Sequence, residues 1–320
     1  MTKNKKIILK VLIFFTLIIL LYTYSAMVLA PKSVNSQGGA YFYRGKGFYA
    51  EPTNSLDVFV CGNSDSMYGF SPIKLYNDYG ITSFNSGVPK LTIDGAYSLI
   101  KQSLDVQKPK VVVLETDCVF DVNSKLLKIL NPLYFFAIPI VYHSRWKDVK
   151  FNDFITMPSY KKNIDALKGY EFTSDISGAK IGDYMGSPNA ANEPFKPSCL
   201  RSLNNITKLC NENDIKLVFL TIPSATSWTY AKHNALSEYA QKNGIEYIDG
   251  NVLIKELNFD WSHDSKDNGN HLNVYGANKV TAYLGNILTT KYGVIKPTDE
   301  TLCKYWDGEL NKYKQNIKIL

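Results

Sequence analysis

Apolar, β-branched runs alternate along most of the chain with stretches whose apolar residues recur at helical spacing. Residues 56–61, 82–85, 110–115, 216–222 and 246–248 read as short strands, the first, third and fourth carrying continuous apolar runs instead of alternating with polar positions. Between them, 72–78, 93–106, 198–213 and 230–243 carry the helical period, and a last helix follows over 274–292. Continuous apolar strands separated by helices predict a parallel sheet covered on both faces. Right-handed crossovers then give a three-layer α/β/α domain with its functional loops at the carboxyl ends of the strands. Ser64, Gly87, Asp117 and Pro223 all follow predicted strands and should converge on that edge.

Two segments break the rhythm. Residues 119–197 are too long for a plain connection. They hold an apolar stretch over 126–142, then His143-Ser144-Arg145-Trp146, then a polar region over 174–192. An inserted helical cap packed on the sheet is one reading. A lid or docking surface is the other, with His143, Arg145 and Trp146 as candidate sugar-binding residues. Residues 31–54, rich in Gly, Ser and Tyr without a clear period, read as a stalk joining the domain, which spans 55–320.

Upstream, residues 11–30 form an uncharged run of twenty, long enough at 1.5 Å per residue to cross a hydrocarbon core. Lys3, Lys5, Lys6 and Lys10 precede it, so the positive-inside rule leaves residues 31–320 outside the cytoplasm. The run exceeds the apolar region of an ordinary signal peptide, which favours an uncleaved single-pass anchor. The competing reading is a cleaved signal ending at Val28-Leu29-Ala30.

Composition changes this picture little. The net charge of +7 includes those four lysines, which leaves about +3 for the remainder and no basic patch suited to nucleic acid. Five cysteines and four histidines show no metal-ligand spacing, and neither a P-loop nor a dinucleotide motif implies a cofactor. Cys199 with Cys210 is a candidate disulfide pair, but one cysteine stays odd.

The chemistry concentrates in two places. Gly62-Asn63-Ser64 turns out of the first strand, and the glycine permits a tight turn that leaves the serine and its N–H at the mouth of the sheet. Ser66 is a nearby competitor. Some 200 residues on, Asp267-Asn268-Gly269-Asn270-His271-Leu272-Asn273 leads into Val274-Tyr275-Gly276-Ala277 and the last helix. A serine, a histidine and an aspartate in these roles make an acyl-transfer triad whatever their chain order.

These segments resemble blocks I and V of the SGNH (GDSL) hydrolase superfamily. The resemblance implies a flavodoxin-like α/β/α domain with a five-stranded parallel sheet, here preceded by one transmembrane helix. It implies Ser64 as nucleophile, His271 as base and Asp267 as the carboxylate that orients the base, with Asp260 and Asp264 as alternatives. It also implies an oxyanion hole from Ser64, from Gly87 in Phe84-Asn85-Ser86-Gly87, and from the third-block position. That position holds Asp117 where the family has asparagine, and a carboxylate accepts hydrogen bonds instead of donating them. Asp267 also stands four residues before His271, not the usual three.

With an N-terminal anchor, the His-Leu-Asn-x-x-Gly-Ala pattern is similar to that of proteins partnering polytopic membrane-bound O-acyltransferases. These add D-alanyl groups to teichoic acid or acetyl groups to exopolysaccharide. The expectation is thus an extracytoplasmic serine acyltransferase or esterase acting on a cell-envelope polysaccharide. The alternative is a catalytically weak scaffold or glycan-binding subunit of such a complex.

Overall fold

The computed structural model describes residues 3–33, 36–120, 138–162, 165–178 and 181–316. Its centre is a five-stranded parallel sheet of β1 (Val58–Gly62), β2 (Ser83–Gly87), β3 (Val111–Glu115), β4 (Lys216–Thr221) and β5 (Glu246–Asp249), in the order β2-β1-β3-β4-β5. The order reverses at β1, so the carboxyl ends of β1, β2 and β3 open on a switch point, where open α/β sheets bind ligands.

Successive strand residues feed two separate cores. Phe59, Cys61, Val112, Leu114 and Phe219 face a cluster built with α5 (Ile93–Ser103), α7 (Pro197–Glu212) and α8 (Tyr230–Asn243). Val58, Val60, Val111, Val113, Val218 and Leu220 face the opposite cluster, which Leu75 of α4 (Pro72–Tyr79) and Val280, Leu284 and Leu288 of α9 (Val274–Thr290) complete. This two-sided burial is why β1, β3 and β4 are apolar at nearly every position, whereas the edge strands β2 and β5 are more polar. Helix ends follow local chemistry. Ser71 and Thr229 cap α4 and α8 by accepting from Lys74 N and Lys232 N, and left-handed Gly80 and Gly244 stop both helices.

The observed strands lie within two residues of the expected ones at each end. Three differences stand out. Residues 36–54 do not hang free. They form α2 (Gly39–Arg44) and a turn of 3-10 helix (Gly47–Tyr49), and Phe48 is fully buried against Phe59 and Phe84. Beyond the expected last helix, α10 (Glu300–Asn316) buries Trp306 and Tyr313. Cys199 and Cys210 are free thiols on α7, eleven residues or about 16 Å apart along the axis, beyond disulfide reach.

Within the insertion, the described part holds α6 (Ile138–Val141) and 3-10 turns at His143–Lys147, Phe151–Phe154 and Tyr160–Lys162. Most of the apolar stretch over 126–142 lies outside the described residues. The chain then returns along the free edge of β2, where Asn85 N donates to Lys168 O at 2.9 Å. The Lys168 side chain is fully buried. Its Nζ reaches Glu51 Oε1 at 2.9 Å, Tyr305 Oη at 2.8 Å and Glu309 Oε2 at 3.3 Å. One residue thereby ties the approach segment, the insertion and α10 together.

α1 (Lys3–Leu29) is long and apolar enough to cross a membrane, with mean hydropathy 2.4 over its best window. The same property belongs to signal sequences. Every residue from Lys3 to Tyr24 is exposed, and burial begins only where the helix meets the insertion.

Candidate active site

β1 ends at Gly62 and the chain turns directly into α3 (Ser64–Gly69), so Ser64 is the first residue of a helix. There its N–H has no acceptor within the helix. The turn is braced from below. Asn63 caps α3 by accepting from Asp65 N at 2.7 Å, and its amide Nδ2 donates to Asp117 Oδ2 at 3.0 Å. Glu115, fully buried at the end of β3, accepts from Asn63 N at 3.3 Å and from Asp117 N at 2.7 Å. Asn85 of β2 donates to Ser66 O and Phe70 O, which fixes α3 from the other side.

The second segment arrives from the far end of the chain. A small antiparallel pair, β6 (Ser265–Lys266) and β7 (His271–Leu272), projects His271 over Ser64. Ser64 Oγ lies 3.0 Å from His271 Nε2, and Asp267 Oδ2 lies 3.0 Å from Nδ1. The extra residue between aspartate and histidine is absorbed by backbone. Asp267, Asn268 and Gly269 all have positive φ (52°, 57° and 87°), a left-handed run that folds the loop back on itself. Two of the three are not glycine, so the loop holds local strain.

His271 is mostly buried, with 16% of its side chain exposed. Burial lowers its pKa below the ordinary histidine value, the Asp267 carboxylate opposes that shift, and Lys266 adds to it. The imidazole is therefore neutral near pH 7. In the tautomer that serves the serine, Nδ1–H donates to Asp267 and Nε2 accepts from Ser64. Asp65 Oδ1 lies 3.9 Å from Nε2, a second carboxylate on the serine side.

Gly87 ends β2 beside Ser64 and lines the same cavity. A Cβ there would stand 2.6 Å from Met67 N and 2.7 Å from Met67 Cα, so only glycine lets α3 approach this closely. The cavity measures about 470 Å³. Met67, Tyr68 and Pro89 form its apolar wall, while Arg44, Lys90 and Glu171 form its charged rim. Arg44 pairs with Glu171, and Lys90 has a left-handed backbone.

Several expected roles change. Asp117 does not complete an oxyanion hole: it accepts from Asn63 and from Lys232 Nζ at 3.3 Å, and a carboxylate so held has no hydrogen to give. Ser66 is fully buried and its hydroxyl donates to Asn63 O, so it cannot replace Ser64. Asp264 is taken by Lys279 and His263, and Asp260 by its own turn at Ser262; neither contacts His271. His143, Arg145 and Trp146 do not line the cavity. Arg145 is buried, its guanidinium donating to Leu29 O at 2.8 Å and to Ala30 O, with Asp153 nearby. It clasps the end of α1 instead of binding sugar. Glu115 and Asn85 were not anticipated as site supports. A buried carboxylate at a strand end two residues before Asp117 was the available signal for the first.

No protein-family model matches the chain. No curated protein matches it either. Among solved structures it is similar to a GDSL-like lipase from Bacteroides thetaiotaomicron, at 11% identity and TM-score 0.41 over 78% of this chain and 96% of that one. It is also similar to the lipase/acylhydrolase from Enterococcus faecalis, at 13% identity and TM-score 0.38 over 76% and 100%. What the site can do rests on its own side chains and not on these likenesses.

Proposed function

We propose that the chain is a serine acyltransferase or esterase, anchored by α1 and working outside the cytoplasm. The observation that carries this reading is the 3.0 Å contact of Ser64 Oγ with His271 Nε2, with Asp267 on Nδ1, at the mouth of a cavity. His271 takes the proton of Ser64 as Oγ attacks the carbonyl carbon of an acyl ester. The N–H groups of Ser64 and Gly87 hold the oxyanion. His271 returns the proton to the leaving alkoxide, leaving the acyl group on Ser64. A second hydroxyl then gives its proton to His271, attacks the acyl carbon and releases Ser64. With water the product is a free acid; with a sugar or polyol it is a new ester.

The acceptor we favour is a hydroxyl of a cell-envelope polysaccharide or teichoic acid, with a polytopic membrane-bound O-acyltransferase as partner. The resemblance of the His271–Ala277 segment and the exposed apolar helix α1 support this. With Asp117 accepting instead of donating, acyl transfer to any hydroxyl should be slow, since one missing oxyanion donor costs roughly 10²–10³ in rate.

The full chain in detergent should hydrolyse an activated acetyl ester slowly, and an active-site serine reagent should label Ser64. Ser64→Ala and His271→Ala should each abolish both signals, a loss of several orders of magnitude. Polymer acylation that survives Ser64→Ala in cells but is lost on deleting the protein would make it a scaffold and end the catalytic reading.

A further inference from the structure

The insertion carries a second surface, none of whose residues lines the Ser64 cavity. Trp146 (67% exposed), Phe151 (79%), Ile155 (68%) and Met157 (69%) stand in solvent within twelve residues, with Phe154 (44%) among them. Such a density of exposed large apolar side chains is not an ordinary soluble surface. Exposure alone does not say what covers it, but its position against α1 does.

Arg145 meets the last carbonyls of α1 at Leu29 and Ala30, whereas Phe154 O accepts from the hydroxyl of Tyr24 at 3.2 Å. Between those two contacts the insertion descends five or six residues along the helix, or about 8 Å. The uncharged run along α1, residues 11–30, is twenty residues and about 30 Å long, which matches a hydrocarbon core of about 30 Å. The lysines precede its far end, and its nearer half carries Tyr22 and Tyr24, the residue type that marks a membrane–water boundary. Phe154, level with Tyr24, therefore sits six residues or about 9 Å inside the outer boundary, within the depth that interfacial segments reach. Lys147 and Lys150 are exposed beside it, with stems long enough to reach lipid phosphates, against one exposed acid, Asp148.

We propose that Trp146, Phe151, Phe154, Ile155 and Met157 dip into the headgroup–acyl boundary of the bilayer that α1 crosses, giving the domain a second attachment to lipid. The aromatic and aliphatic groups leave water for the acyl boundary while the lysines stay at the phosphates, as at other interfacial segments. The proposal rests on α1 spanning the membrane and is independent of the chemistry at Ser64.

The test uses the full chain reconstituted into phosphatidylcholine–phosphatidylglycerol vesicles, with and without bromine near the top of the acyl chains. Trp228 and Trp306 are buried and Trp261 is half-buried, and all three remain in Trp146→Phe, so the emission lost in that variant isolates the exposed indole. Brominated lipid should quench most of that difference emission, and Phe151→Asp with Ile155→Asp should abolish the quenching while carbonate-washed vesicles keep the protein. Equal emission in brominated and plain lipid overturns the proposal. So does an indole shielded from aqueous acrylamide only in native membranes, which assigns the surface to a protein partner. If carbonate strips the chain, α1 is no anchor. The proposal, which sets this surface against that anchor, then falls with it.

Discussion

His271 has a different neighbour on each nitrogen, and their balance sets its protonation. Burial depresses its pKa, and the two influences that raise it most, a hydrogen bond and a charge, both come from Asp267. The base must be neutral to accept the Ser64 proton, so activity should persist below the ordinary histidine value of 6.5 and fail at still lower pH. Asp267→Asn removes both raising influences. The acid limb of kcat/KM should move further down while the plateau falls about 10²–10⁴-fold, because an amide N–H can donate to Nδ1 and hold the imidazole in the wrong tautomer. A pH–rate profile of the variant with an unmoved limb would place Asp267 outside the catalytic unit. Ser64, His271 and Asp267 were legible in the sequence because their roles need turns and spacings that leave a local trace. Arg145 beside Trp146 was not, since that pair reads equally well as a sugar platform and as a clasp on a helix end. Only the position of Leu29 and Ala30 in space decides between them.

Between elements, the contact that places the nucleophile is the approach of α3 to the end of β2. Gly87→Ala would set a methyl group against the Met67 backbone, which cannot swing aside as a side chain would. Either β2 or α3 must shift, at a cost of about 1–3 kcal/mol. Ester hydrolysis should fall well beyond that loss of stability, because Ser64 and one oxyanion donor move together. Circular dichroism and the urea midpoint separate the two effects, and a variant with full activity would remove Gly87 from the site. β1, β3 and β4 were legible because burial on both faces makes them almost continuously apolar. α10 was not anticipated although Leu302, Trp306, Leu310 and Tyr313 carry a helical period. Polar and charged residues dilute that stripe, and its apolar face finds its partners only in the folded domain, where Tyr76 packs on Trp306.

The molecule as a whole is fastened at two points that no local pattern announces. At Lys168, segments more than a hundred residues apart meet around one buried cation, and no stretch of chain shows more than a fragment of the cluster. Lys168→Ala would leave Glu51 buried without its counter-charge and should cost about 3–5 kcal/mol, read as a lower urea midpoint. An unchanged midpoint would mean that water fills the gap. The other fastening joins α1 to the insertion through Arg145 and Tyr24. A globule on a slack leash sweeps a hemisphere and meets its substrates by chance orientation. With α1 set across a bilayer, as proposed above, a domain clasped to it in this way would hold the Ser64 cavity at one height and one tilt. On the proposed function, the polymer within its reach is then what passes through a thin shell above the bilayer, and acyl groups should be laid down close to the membrane.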